Sequence, residues 1–223
     1  MAPAVAIRRA GTPAASRMLA TPAEIRKRIT ALTDPFWRSF FSCAYITGAR
    51  VSELVGTYGL TRKRIREATH QNERIVVFEI LTAKRGRQTR LVAVPLNLRY
   101  EPLCWAVLEH VRQFSGGDEA PLWDISRFTA VKKAREVFAG LEYMIEPYWR
   151  EGKKIPRHAR ACGLHALRHI RATELVEHYG FDMMDVAIFM GWDLSRFGPS
   201  VATRYLYLQW PRYIGKLFRE PPG

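Results

Sequence analysis

Cysteine is scarce in this chain of 223 residues, and its three cysteines, Cys43, Cys104 and Cys162, are odd in number and far apart. They show no CxxC or Cys/His ligand spacing, which excludes a disulfide framework and a cysteine-based zinc centre; no metal and no cofactor are expected. Long apolar runs are also missing. Nothing approaches the roughly 20 residues needed to span a bilayer, and residues 1–20 lack an apolar signal core despite Arg8 and Arg9, so the expected setting is the cytoplasm, without a membrane partner. Amides are few, four Gln and two Asn, as in heat-adapted proteins. Acidic residues number 21 against 35 basic ones, leaving a formal charge of +14. That excess points to a polyanionic partner, although charge alone does not separate DNA from RNA or a membrane surface.

What is present sharpens this. The basic residues are mostly Arg, 27 against 8 Lys, and a guanidinium fork pairs two phosphate oxygens where an ammonium offers a point charge. With 48% apolar residues the chain buries a core of its own. Residues 1–20, rich in Ala, Pro and Arg, show no sustained periodicity and read as a flexible basic arm. Order is expected from Thr21-Pro22, a cap followed by Pro at the first helical position. Helices are expected to Leu32, over Phe36–Ile46 with aromatics on nearly every face, and over Val51–Val55 after the break at Gly48. Arg74–Leu81 and Leu91–Val94, β-branched and aromatic, flank the basic turn Ala83–Gln88 and predict a β-hairpin. Further helices are expected at 98–114, 126–138, 164–179, 183–190, 200–207 and 212–218, giving a mainly α fold with a small antiparallel β-hairpin or sheet (α+β). Residues 21–210 form one catalytic domain in this reading. Residues 211–223 are a tail whose Tyr213, Ile214, Leu217 and Phe218 dock on a neighbouring protomer or pack at home.

Four segments stand out together: Thr47-Gly-Ala-Arg50-Val-Ser-Glu53-Leu54, Lys84 in the hairpin turn, His165-Ala-Leu-Arg168-His169, and Met190-Gly191-Trp192 followed by Tyr205. In that order and separation they resemble the catalytic domain of the tyrosine recombinase, or phage integrase, family. The resemblance spans about Thr21 to Gln209. It implies a site-specific recombinase that cuts and rejoins double-stranded DNA through a 3′-phosphotyrosine bond, needs neither metal nor ATP, and works as a dimer or tetramer on DNA. The family's additional helical clamp domain has no counterpart in the twenty residues before Thr21.

Residue by residue, the resemblance makes Arg50 and Arg168 the clamps on the two non-bridging phosphate oxygens, where transition-state charge collects. His165, one helical turn from Arg168, assists proton transfer or orients the phosphate, with His169 in a structural part. Lys84 protonates the leaving 5′ oxygen, with Arg85, Arg87 and Arg90 beside it on backbone phosphates. Trp192 stands where a second His is usual; its indole donates a hydrogen bond but carries no proton. Tyr205 is the nucleophile, with Tyr207 as the rival. Glu53 orients Arg50 or Lys84. Duller readings stand beside several of these: Arg50 and Glu53 as a surface helix pair, Lys84 as a solvated turn residue, Trp192 as a packing anchor. Other functions compatible with the same residues are relaxation of DNA in the manner of a type IB topoisomerase, a catalytically inactive DNA-binding relative, and an unrelated RNA-binding protein.

Overall fold

The structure, a computed structural model, describes residues 18–82, 89–145, 147–150, 152–192 and 210–223. Strand β1 (Met18–Leu19), the end of the expected arm, precedes helix α1 (Pro22–Thr30). The Thr21 hydroxyl accepts from the Glu24 amide at 3.2 Å, Pro occupies the first turn, and Arg28 reaches back to Glu24 at 2.9 Å. Helix α2 (Pro35–Thr47) starts where Asp34 accepts from the amides of Phe36 and Trp37. From Ser39 onward every residue of α2 is buried, with Phe40, Phe41 and Tyr45 fully so. This helix is the axis of the molecule and packs against α4 (Leu103–Gln113) and α6 (Leu164–Glu177). An aromatic side chain on almost any face therefore finds apolar partners.

Helix α2 stops at Gly48, whose φ of 59° is the left-handed conformation a Gly adopts at no steric cost. After the short α3 (Val51–Leu54) comes an antiparallel sheet of β2 (Ile65–His70), β3 (Glu73–Leu81) and β4 (Thr89–Pro95) in that order. The expected hairpin is β3–β4, with Ile80 opposite Arg90. Strand β2 is an addition, joined to β3 through Gln71 and Asn72, both at positive φ. Its polar sequence IREATH hides the strand, because only one face of this edge is covered.

Helix α4 begins at Leu103 rather than at 98, since Pro102 occupies the cap and residues 98–100 form a turn. Helix α5 (Arg127–Val137) starts at the expected cap, where the Ser126 hydroxyl accepts from the Thr129 amide at 3.0 Å. Between α5 and α6 lie four strands that the sequence reading lacks. They are β5 (Leu141–Ile145), the hairpin β6 (Tyr148–Arg150) and β7 (Lys153–Ile155), and β8 (His158–Ala161). β5 pairs with β1 in parallel and with β8 antiparallel. The strands are short and charged, with no sustained alternation to betray them. Helix α7 (Met183–Met190) is closed at its start by a reciprocal Asp182–Asp185 box and ends at Gly191, φ 63°.

The segment expected as a helix at 212–218 is instead two 3-10 turns, Trp210–Arg212 and Ile214–Leu217. Tyr213, Ile214 and Leu217 are buried within the chain, and the Tyr213 hydroxyl accepts from the Ala93 amide at 3.2 Å. The helix expected at 200–207 lies outside the described residues. All three cysteines are buried and free. Among the described residues no helix is long and apolar enough to cross a membrane, and no group of three or more His, Cys, Asp or Glu could hold a metal ion.

Under α2 sits a buried ionic cluster that ties α1, α2, α4's approach and α6 together. Arg26 bonds Glu174 at 2.5 Å and Glu101 at 3.2 Å, Arg171 bonds Glu174 at 2.7 Å, and the Tyr45 hydroxyl donates to Glu174 at 3.0 Å.

Candidate active site

Two chain breaks, one after α2 and one after α7, build the site. At the first, the Thr47 hydroxyl donates back to the Cys43 carbonyl at 2.6 Å and accepts from the Ala49 amide at 3.3 Å, fixing the turn that delivers Arg50 to the start of α3. Glu53, three residues on, accepts from the Arg50 amide at 2.9 Å and from its guanidinium at 2.7 Å. The Arg50–Glu53 pair is therefore not a surface pair: the Glu53 side chain is fully buried, while that of Arg50 keeps 28% of its surface open. Burial alone would raise the Glu53 carboxyl. The Arg90 charge, together with the amide and guanidinium of Arg50, outweighs this and holds it below the usual carboxylate range.

Arg168 comes from the first turns of α6 and is 7% exposed. Its guanidinium donates to the Gly48 carbonyl at the first break and to the Met190 carbonyl, 2.6 Å away, at the second. Burial, then the charges of Arg90 and Arg50, push its pKa down to about 9, with Glu53 only partly opposing them. Arg50 and Arg90 thus share one carboxylate, and Arg168 stands within reach of its charge without bonding it. The local excess of positive charge, partly withdrawn from water, favours an anion.

Arg50 and Arg168 line one cleft of about 340 Å³, together with His165, Ser52 and Arg127. Ser52 and Arg127 are absent from the sequence-derived set. Arg127 is the first residue of α5, behind a cap that the sequence does reveal, but nothing local tells that α5 begins opposite residue 50. His165 and His169 are both exposed on one face of α6, their Nε2 atoms 2.9 Å apart. His169 also stacks on Tyr143 of β5, ring centroids 6.0 Å apart. Although an edge of His169 is exposed, partial withdrawal of the ring from water, then the His165 and Arg168 charges, lower its pKa.

Two expected residues are placed elsewhere. Arg90, grouped by sequence with a solvated basic turn, is 6% exposed and points inward to Glu53 and to backbone carbonyls, because its strand position opposite Ile80 faces the core. Trp192 does not line the cleft. Its side chain, 40% exposed, borders a separate apolar depression with Val176 and Met183. Lys84, Arg85, Arg87, Tyr205 and Tyr207 lie outside the described residues.

No family model matches the chain, and no curated protein sequence matches it either. Solved structures do. The XerH site-specific recombinase bound to difH substrate, in a pre-cleavage complex, aligns with a TM-score of 0.50 at 19% identity, covering 87% of this chain and 51% of that one. XerH on a palindromic difH substrate, in a post-cleavage complex, gives 0.46 at 18% identity, covering 89% and 52%. The XerA recombinase gives 0.47 at 17% identity, covering 89% and 61%. This chain spans about half the length of the XerH chains. At such identity the likeness is one of fold: the chain has the mixed α and β architecture of a recombinase catalytic domain.

Proposed function

We propose that this chain cleaves and rejoins double-stranded DNA as a site-specific tyrosine recombinase. The observation that carries the reading is the convergence of Arg50, His165 and Arg168 on one cleft whose positive charge exceeds that of its single buried carboxylate. A phosphodiester entering it gains most as charge builds on the five-coordinate phosphorus. In this mechanism the Tyr205 phenol, whose ordinary pKa is about 10, loses its proton to His165 or to solvent and attacks the phosphorus. Arg50 and Arg168 hold the non-bridging oxygens. The bond to the 5′ oxygen breaks, and Lys84 supplies the proton that this oxygen takes up. A 5′ hydroxyl from a second strand then reverses the step and releases the tyrosine. Bond energy is conserved, so the chemistry calls for neither metal nor ATP. The +14 charge supports duplex DNA as the partner, and exchange between two duplexes requires an oligomer assembled on DNA.

The test is a nicked suicide duplex incubated with the full chain and resolved by denaturing electrophoresis. A covalent adduct is expected from wild type, lost in Tyr205→Phe and retained in Tyr207→Phe. An adduct that survives Tyr205→Phe moves the nucleophile. Salt-sensitive binding with no adduct on any site would leave only a DNA-binding protein, and relaxation of supercoils without two-site exchange would leave a topoisomerase.

A further inference from the structure

Arg90 differs from its basic neighbours in sequence by where its guanidinium goes. Nη1 donates to the Thr47 carbonyl at 3.2 Å and to the Phe189 carbonyl, while Nη2 donates to Glu53 at 3.3 Å. These acceptors belong to three elements: the end of α2, the end of α7 and the short α3. Arg90 and Arg168 are thus two clasps across the same pair of chain breaks. Arg168 takes the carbonyls of Gly48 and Met190, and Arg90 takes those one residue earlier in each case.

The clasp is expensive. Arg90 is 6% exposed, its Nε has no hydrogen-bond partner among the described residues, and burial pushes its pKa down despite Glu53. Desolvation offsets much of what such a buried ion pair gains, so the pair is weak evidence of a stabilising role, although removing one partner alone is destabilising. The chain also leaves room for it. A Cβ on residue 191 would stand 2.5 Å from Arg90 Cδ, and Gly191 is at φ 63°. A costly buried charge, given space by the glycine that ends α7, is what a geometric duty rather than a stabilising one requires.

We infer that Arg90 is a positioning residue for strand cleavage: by orienting Glu53, and through it Arg50, and by tying the end of α7 to the end of α2, it sets the spacing of the phosphate clamp. The inference rests on the reading proposed above. In sequence, the chain beyond Gly191 leads to Tyr205 and the chain before β4 leads back to Lys84, so Arg90 ties together the described residues from which both stretches depart. Arg90 makes no phosphate contact in this account.

Arg90→Met in the full chain tests it by four measurements. The thermal midpoint is expected to fall, since Glu53 loses one of its two partners; well below that midpoint, DNA affinity at fixed salt is expected to change by less than about twofold, while the single-turnover rate of adduct formation on the suicide duplex falls about 10²-fold, the cost of a misplacement near 1 Å. Hydrogen exchange should accelerate at the amides of residues 48–54 and 189–192 and not elsewhere. An unchanged adduct rate overturns the inference, and so does a loss of DNA affinity in step with the rate, which would make Arg90 a phosphate contact. Should wild type give no adduct, the strand-cleavage reading fails, and unaltered exchange at the two breaks then sinks the clasp independently. Arg90→Lys covers the case in which the Met variant does not fold. A point charge cannot span three acceptors, so a lysine variant as fast as wild type also refutes the proposal.

Discussion

Arg50, Arg90 and Arg168 surround Glu53, and each uses its fork differently: Arg50 faces the cleft, Arg90 the core, and Arg168 divides itself between two carbonyls and the cleft wall. The sequence sets Arg50 and Arg168 apart from Arg90 but gives no sign that Arg90 turns inward, because the direction of a side chain on a strand depends on which face the sheet buries. The histidines are the neighbouring case. With the Nε2 atoms 2.9 Å apart, one ring must donate and the other accept, so the pair cannot hold a proton on both Nε2 atoms without breaking the contact. His169 is held below the ordinary value of 6.5 first by burial and then by the charges of His165 and Arg168. Its ring protons, followed by NMR, should titrate below pH 6.5, and His165→Ala should move the midpoint upward while leaving it below that value. A midpoint above 6.5 in wild type would mean that His169 is protonated and that His165 is the acceptor.

At the scale of elements, the breaks after α2 and α7 matter more than the helices that they end. Gly48 is at φ 59°, and a Cβ there would meet Met190 Sδ at 2.7 Å, whereas at Gly152, between β6 and β7 at φ 75°, a Cβ would meet nothing within 4 Å among the described residues. Gly48→Ala therefore adds crowding to the left-handed strain that both positions share. It should cost about 2–4 kcal/mol, and Gly152→Ala only about 1–2 kcal/mol, read from urea midpoints; equal costs would show that Met190 moves aside freely. The helical part of the architecture was legible: caps at Thr21 and Ser126 and the glycine stops at 48 and 191 are local chemistry, and local chemistry is written in consecutive residues. The strands β2 and β5 to β8 were not, since a short charged strand is made by its partner rather than by its own pattern. The carboxyl end forms 3-10 turns where its spacing predicts a helix, for a related reason. Tyr213, Ile214 and Leu217 have helical spacing, but the depth to which each is buried, and the Tyr213 bond to the Ala93 amide, are set by β4.

Across the whole molecule, the buried cluster of Arg26, Arg171, Glu101, Glu174 and Tyr45 links the amino-terminal helix to α6, the helix that carries His165 and Arg168. Burial alone would raise Glu174, and the charges of Arg171 and Arg26 with their hydrogen bonds hold it below its ordinary value of 4.5. A carboxylate lowered on folding contributes stability that is fully present above its unfolded pKa and is lost as the pH falls through the folded one. Urea midpoints should accordingly hold above about pH 5 and drop below 4.5. Glu174→Gln should cost about 3–5 kcal/mol at pH 7, by stranding two buried guanidinium groups, and should flatten the acid limb; a limb of unchanged steepness would assign acid loss to other groups. The sequence by itself determined the fold class, the helix boundaries where caps and glycines stand, and a charge that calls for a polyanion, because composition and near-neighbour chemistry survive without any fold. Only the tertiary structure decided that residues 50, 127, 165 and 168 share one cleft, that Arg90 turns away from it and that Trp192 borders another surface. Those relations join positions up to 118 residues apart, and no short-range pattern encodes a distance of that kind.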